Sequence, residues 1–218
     1  MPDRSSQFRI AYQEGYQKLT PIIGSPLFGT LSGRSSKNSI TFALDRRNNP
    51  IIPTTGHEAR GAAEWHYANP GAPYGFPLAA LQLSKYLPVS ATTSLIFTAN
   101  GGSTFSHHKT GFPPFQIGGG PELYAYGKNE FLSNQYFLFR GGFLRKLFTL
   151  PAILGDKAYL VTAAEGAKMY GLPAGTSSLP GDISGAILIN TIFGPVAFGG
   201  GYGATGHAKI FYQIGRTF

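Results

Sequence analysis

Alternation is the feature that most constrains this chain. Through most of its 218 residues, apolar and polar side chains take turns in runs of about 8 to 13 residues, parted by Gly, Pro, Asn and Asp clusters. Successive side chains of a strand point to opposite faces, so a period of two writes strands with one apolar side. Phe8, Ile10 and Tyr12 alternate with Arg9, Ala11 and Gln13, and Ile40, Phe42 and Leu44 with Ser39, Thr41 and Ala43. Gly61, Ala63, Trp65 and Tyr67 stand against Arg60, Ala62, Glu64 and His66. Leu81 and Leu83 oppose Gln82 and Ser84, and Leu95, Phe97 and Ala99 oppose Ser94, Thr98 and Asn100. Near the end, Ile210, Tyr212, Ile214 and Phe218 share one face.

Segments 134–148, 157–170 and 182–192 alternate less cleanly, with apolar residues on both faces, but β-branched and aromatic types still dominate them. Amphipathic helices are scarce, and residues 147–154, broken by Pro151, read as a turn. The longest irregular stretch covers 101–133, a length that in a compact domain usually belongs to a functional loop. A membrane-spanning helix needs roughly 20 consecutive apolar residues. The most apolar stretch, 183–202, is broken by Asn190, Gly194, Pro195 and the glycines at 199–201. The first ten residues, MPDRSSQFRI, lack the apolar core and small-residue cleavage site of a secretory signal.

Alternation alone fits two architectures. A soluble sandwich turns its apolar faces inward, and an outer-membrane barrel turns them to lipid around a polar lumen. Two features favour the barrel. Charged residues are 13% of the chain, against roughly 25% in ordinary soluble domains, which leaves little to solvate two exposed sheet faces. The 17 Phe and 12 Tyr, many near strand ends, suit interfacial girdles. With no Cys there is no disulfide framework, thiolate metal site or Cys nucleophile. The formal charge of +8 is scattered, with Arg46–Arg47 and Arg145–Lys146 the adjacent pairs, so no basic stripe marks a nucleic-acid partner.

Two stretches carry more than a pattern. DRRNNPIIPTTG, residues 45–56, resembles the D-x-R-D-N-P-x-x-P-x-x-G turn between two barrel strands of the Omp85 superfamily, the bacterial surface antigen type of outer-membrane barrel. Asp45, Arg47, Asn49, Pro50, Pro53 and Gly56 carry that likeness. The C-terminal stretch from residue 194, ending in G-R-x-F at Phe218, is similar to the family's closing hairpin. Residues 115–150 resemble the barrel of outer-membrane patatin-like phospholipases more than that of assembly factors. Read alone, the turn is one in which Asn tolerates left-handed φ and Pro fixes φ, with Asp45 and Arg47 able to pair across it. The resemblance implies an all-β, antiparallel transmembrane barrel, its last strand (Ile210, Tyr212, Ile214, Phe218) resembling the signal read by the barrel assembly machinery.

The resemblance also exposes a departure. Omp85 translocases and insertases place V/I-R-G-F/Y in the long loop, its Arg reaching into the lumen. Here Leu123, Tyr124, Ala125 and Tyr126 stand at those positions. A phenol does not replace a paired guanidinium, which argues against transport or insertion by the family's usual scheme. A patatin-type barrel that anchors or exports its own enzyme domain is less affected.

Enzyme signatures are meagre. Gly101-Gly102-Ser103-Thr104-Phe105 lacks the second Gly of a G-x-S-x-G elbow, and Gly175-Thr176-Ser177 fails likewise. His107 and His108 are adjacent with no carboxylate pair nearby, and the GGG runs at 118 and 199 lack the helix a phosphate loop needs. Arg60, Glu64 and His66 share a strand face, where lumen lining is the expectation and a hydrolase cluster the alternative. Glu165 and Lys168 are expected at the lumen or its rim.

Strands of about 9 to 11 residues make ten or eleven in this length, where the family resembled has sixteen. The expectation is one barrel domain over 1–218, the C-terminal portion of a sixteen-stranded barrel incomplete on its N-terminal side, with 101–133 as its lumen loop. It would sit in the bacterial outer membrane and anchor or export an N-terminal passenger without cofactor or catalysis of its own. Lipid and lipopolysaccharide, the assembly machinery, and a second copy or a missing N-terminal domain are the expected partners. A small closed pore and a soluble secreted β-sandwich binding module are the alternatives.

Overall fold

The computed structural model describes residues 5–20, 30–70, 72, 74–105, 114–151, 153, 155–171, 178–192 and 194–215. Their order is β1 (Ser5–Leu19), β2 (Leu31–Asp45), β3 (Gly56–Ala68), β4 (Phe76–Pro88), β5 (Thr93–Ser103), β6 (Phe115–Ile117), β7 (Phe131–Ser133), β8 (Gln135–Thr149), β9 (Lys157–Tyr170), β10 (Gly181–Thr191), β11 (Gly194–Gly203) and β12 (Ala208–Ile214). Ten of these form one antiparallel sheet in strict sequence order, β1-β2-β3-β4-β5-β8-β9-β10-β11-β12, and β6 and β7 pair separately. Each wall strand is therefore hydrogen-bonded to its neighbours in the chain, and β1 and β12 are the two edges. Phe218, His107 and His108 lie outside the described residues.

Register sorts the side chains into two faces. Phe8 opposes Phe42, which opposes Gly61 and then Leu81. The same row continues through Gly101 and Phe137. On this face Phe8 is 68%, Ile10 70% and Ile210 77% exposed, part of a band of apolar side chains turned outward. The opposite face carries Arg60, Glu64, Gln82, Asn100, Arg140, Glu165 and Asp182. That is apolar outside and polar inside, the arrangement of a membrane wall. The face also curls. Arg140 on β8 lies 5.3 Å from the Tyr124 ring, whose other contact is Phe211 on β12 at 4.6 Å. Four strand spacings would hold β8 and β12 about 19 Å apart in a flat sheet.

Two boundaries differ from the sequence expectation. β8 runs on to Thr149, through a register shift between Lys146 and Phe148, so the expected turn at 147–154 begins after Thr149. β5 claims residues 101–103, and the irregular stretch is interrupted by the β6–β7 hairpin.

Connections are short at one end of the wall (89–92 and 150–156), with 46–55 the exception, and mostly longer at the other. The 45–56 turn folds inward. The Asp45 carboxylate accepts from Arg47 N–H and Nε at 3.0 Å and Nη2 at 2.6 Å. Asn49 Oδ1 accepts from the Ile51 and Ile52 N–H groups at 2.7 and 3.1 Å, skipping Pro50, which has no N–H to give. Gly56 has φ +107°, and a Cβ there would stand 2.2 Å from the Arg46 carbonyl, so only Gly closes the turn. The result drives Ile52 and Pro53 beneath the barrel. Ile52 is buried among Tyr86, Ile96, Leu144, Val161 and Leu188, all on the inner face. Arg47 follows it inside, pairing with Asp45 at 2.6 Å and Glu58 at 3.3 Å; its hydrogen bonds to Asp45 hold the guanidinium above its ordinary pKa.

Breaking a buried ion pair from one side leaves an uncompensated charge. Arg47→Ala is expected to cost about 3 kcal/mol, read as a lower urea midpoint in detergent; a midpoint within error of the unmodified protein would refute the role given to Arg47. Trp65, the one Trp, lies on the outward face near the long-loop end and is 47% exposed. In vesicles, acyl chains brominated near the carbonyl end are expected to quench it more than chains brominated near the methyl end. Free quenching by aqueous iodide would contradict a lipid-facing wall.

Candidate functional site

The inner face is occupied along β5 to β12. Residues 114–133 fold back from the long-loop end and pack against it, so their fit to the wall is the geometry that bears on function.

The loop is shaped by its own backbone first. Gly118 and Gly119 have φ +114° and +80°, and a Cβ on Gly118 would meet the Gly127 carbonyl at 2.7 Å. The GGG run is thus a tight turn rather than a phosphate cradle. Hydrogen bonds Glu122 N–H to Gly119 O (2.8 Å), Tyr126 N–H to Leu123 O (3.0 Å) and Asn129 N–H to Gly118 O (3.0 Å) close the tip. Leu123 takes φ +55°, unusual for a branched residue. In that conformation its N–H points at the wall, where it donates to Glu165 Oε2 at 2.7 Å.

Strands β9, β10 and β12 together hold the 123–126 segment. Ala125 N–H donates to Asp182 Oδ2 on β10 at 2.7 Å. The Tyr126 hydroxyl donates to the Gly181 carbonyl at 3.2 Å, and Lys209 Nζ on β12 donates to the Tyr126 carbonyl at 2.9 Å. Next along the loop, Asn100 Nδ2 on β5 donates to Glu122 Oε1 at 2.8 Å, and Arg140 Nη1 to the Pro121 carbonyl at 3.0 Å. Burial lifts the Glu122 carboxyl above its ordinary pKa, opposed by the Asn100 hydrogen bond and the Arg140 charge. The Tyr124 hydroxyl is likewise raised by burial.

Tyr124 stands where a guanidinium is expected from the family motif. Its ring packs on Phe211, and the guanidinium over it belongs to the wall: Arg140, with Nε 3.5 Å from Glu165 Oε1. The Glu165 side chain is fully buried and Asp182 nearly so. Two buried carboxylates are tolerable here because backbone N–H groups and one guanidinium face them. Below Tyr124 the gap to the lower core is only about 20 Å³, about the room of one water.

Glycines on β11 admit the loop. A Cβ on Gly201 would stand 2.9 Å from the Ala125 nitrogen, and one on Gly203 3.0 Å from the Tyr126 ring. Nothing in the local pattern announces this use of the 199–201 run, because its partners lie some 75 residues away in the chain.

The other residues singled out from sequence fall elsewhere. Glu64 and His66 face the lumen with Lys37: Lys37 Nζ is 2.7 Å from Glu64 Oε1 and His66 Nε2 2.9 Å from Oε2. His66 stacks on Phe76 at 4.7 Å, and its Nδ1 is buried with no hydrogen-bond partner among the described residues, so none of their hydroxyls sits on that nitrogen. Arg60 is apart from them, paired to Glu58 at 2.5 Å. Among the described residues, no three His, Asp or Glu side chains gather as a metal site. Lys168 is not in the lumen. Its register partner is Phe137, on the outward face. Ile210, Tyr212 and Ile214 are exposed on that face of β12.

No curated protein compared with the chain matches it. The sequence model of the Omp85 superfamily domain matches residues 11–174, about three quarters of the chain, and takes in both the inward-folded turn and the lumen loop. With an all-antiparallel wall, apolar outside and polar inside, the chain belongs to the Omp85 superfamily of outer-membrane β-barrel proteins.

Proposed function

We propose that this barrel anchors or exports an N-terminal passenger, in the manner of the patatin-like, surface-antigen branch, and carries out no covalent chemistry of its own. The observation that carries the reading is the double obstruction of the inner face. Ile52 and Pro53 enter from the short-turn end and the 114–133 loop from the other, and the space beneath Tyr124, bordered by Val161, Leu188 and Ala197 of the lower core, is about 20 Å³. Outer-membrane barrels keep short turns on the periplasmic side and long loops outside. β1 then starts at the periplasmic end, because Ser5 pairs with Asp45, and a passenger joined ahead of it meets the wall there. Tyr124 in place of the loop Arg fits a barrel released from the usual transport scheme. The outward face of β12 is offered to the assembly machinery, and the apolar band to lipid and lipopolysaccharide.

A pore is the second reading, and one observation favours it. Beside the loop a cavity of about 720 Å³ stays open, bordered by Arg9, Thr41, Arg60, Gln82, Asn100 and Glu122.

Planar-bilayer recording separates the two. The unmodified protein is expected to show no steady conductance, and Gly201→Leu, which forces the loop off β11, to give openings at least about tenfold more often; a stable open channel before any substitution would support the pore and refute the plug. For the passenger, a reporter enzyme fused ahead of residue 1 is expected to fractionate with the outer membrane. Recovery of the active reporter in the soluble periplasmic fraction would refute anchoring.

A further inference from the structure

We propose that the outward wall between β4 and β10 binds a phosphorylated, multiply acylated glycolipid of the outer leaflet. Its chains lie in two grooves flanking a Phe137–Phe139 ridge, and its phosphate meets Lys168. The inference rests on the long-loop end facing outward and not on the passenger.

The first groove, about 720 Å³, has a floor of Ala79, Ala99 and Gly101 between Leu81 and Phe137. Its upper end opens among Ser103, Asn134 and Gln135, close to the long loops. The second, about 600 Å³, runs over Gly166 and Gly181 between Phe139 and Leu179. A Cβ built on Gly166 meets nothing within 4 Å, so this floor is open space rather than close packing. Both volumes fall in the roughly 300–1,000 Å³ range of small-molecule sites. The ridge between them is half exposed, Phe137 at 58% and Phe139 at 57%, and Phe139 stacks on Phe97 at 6.4 Å. Two strand spacings, about 10 Å, separate the floor of one groove on β5 from the floor of the other on β9. One acyl chain does not fill both, and two chains of one lipid straddling an aromatic ring do.

Charge selects the headgroup. Lys168 lines the second groove, two residues before β9 ends at Tyr170. A cation on the lipid face costs about 2–4 kcal/mol at the bilayer midplane and almost nothing near the interface. Close to the rim its long stem reaches headgroup level. Ser178 accepts a hydrogen bond from Nζ at 3.2 Å and the Tyr170 ring lies 5.5 Å away, leaving a cation with no carboxylate partner in either groove among the described residues. An anionic phosphate is the complement of that arrangement, and a purely zwitterionic headgroup brings its own cation to the same place.

Native mass spectrometry of the full chain released from detergent micelles tests this, with three probes: bisphosphorylated hexa-acyl lipid A, the same lipid with its phosphates removed, and phosphatidylethanolamine. Lipid A is expected to be retained over the other two. Lys168→Gln is expected to reduce its retention about fivefold, the weight of one interfacial Lys, and Gly166→Leu, which fills a groove floor, to reduce it at least as much. Ile187→Ala, on the outward face away from both grooves, is expected to change nothing. Equal retention of the dephosphorylated lipid or of phosphatidylethanolamine overturns the proposal, as does retention indifferent to both variants. Lys168→Gln alters a partly exposed side chain and keeps the test valid if Gly166→Leu fails to fold. The readout is independent of conductance and of any fused passenger.

Discussion

A wall in hydrocarbon has to satisfy its backbone from strand to strand, because no water is there to accept an unpaired N–H. The rest of this structure follows from that constraint. Each of the eight inner wall strands bonds to the wall strand before and the wall strand after it, and β1 and β12 bond to one each, so the topology is the simplest a sheet can have. Once the backbone is fixed in this way, side chains have two places to go. The apolar half faces lipid, where Phe8, Ile10, Phe137 and Phe198 need no partner, and the polar half faces the lumen. Any closure of the wall runs through β1 and β12, whose outer edges carry the remaining backbone groups.

Polar groups turned inward bring a second problem, since a lumen filled by protein buries them. Glu165 and Asp182 would be costly in a dry interior without partners. Their partners are the N–H groups of Leu123 and Ala125, two residues apart in a loop whose intervening side chain, Tyr124, points the other way into the core. The loop N–H groups therefore satisfy one oxygen of each wall acid, while Glu165 Oε1 and Asp182 Oδ1 stay buried with no hydrogen-bond partner among the described residues. Leu123 adopts its left-handed conformation as part of that bargain, at a cost of about 1–3 kcal/mol. The one guanidinium at this junction comes from β8 instead of from the loop. The plug is tied to the wall through backbone groups, the Leu123 and Ala125 N–H donating to Glu165 and Asp182 and the Pro121 and Tyr126 carbonyls accepting from Arg140 and Lys209.

Much of this was legible in the sequence, and the reasons are local. A period of two reports strands and their faces wherever one face is lipid or lumen, as at 8–13 and 60–67. The 45–56 turn was legible too, since Asn49, Pro50 and Gly56 each answer a nearby backbone need. What stayed hidden depends on distance along the chain. That Ile52 is a core residue follows from its meeting Leu144 and Leu188, some 90 and 136 positions on. Gly201 looks like any strand Gly until Ala125 is brought to it.

Segments 157–170 and 182–192 illustrate the same limit from the other side. They alternate poorly because both of their faces are apolar for different reasons: one meets lipid, and the other meets either Ile52 or the 114–133 loop. β5 and β12 alternate cleanly although the loop packs on them as well, because polar side chains, Asn100 and Lys209, make contacts to it. What holds for clean and blurred strands alike is that the outward face is apolar. Lys168 breaks the rule in an informative way. It is a charge on the lipid face of a strand with a buried opposite face, and its only tolerable depth is the one it has, at the rim.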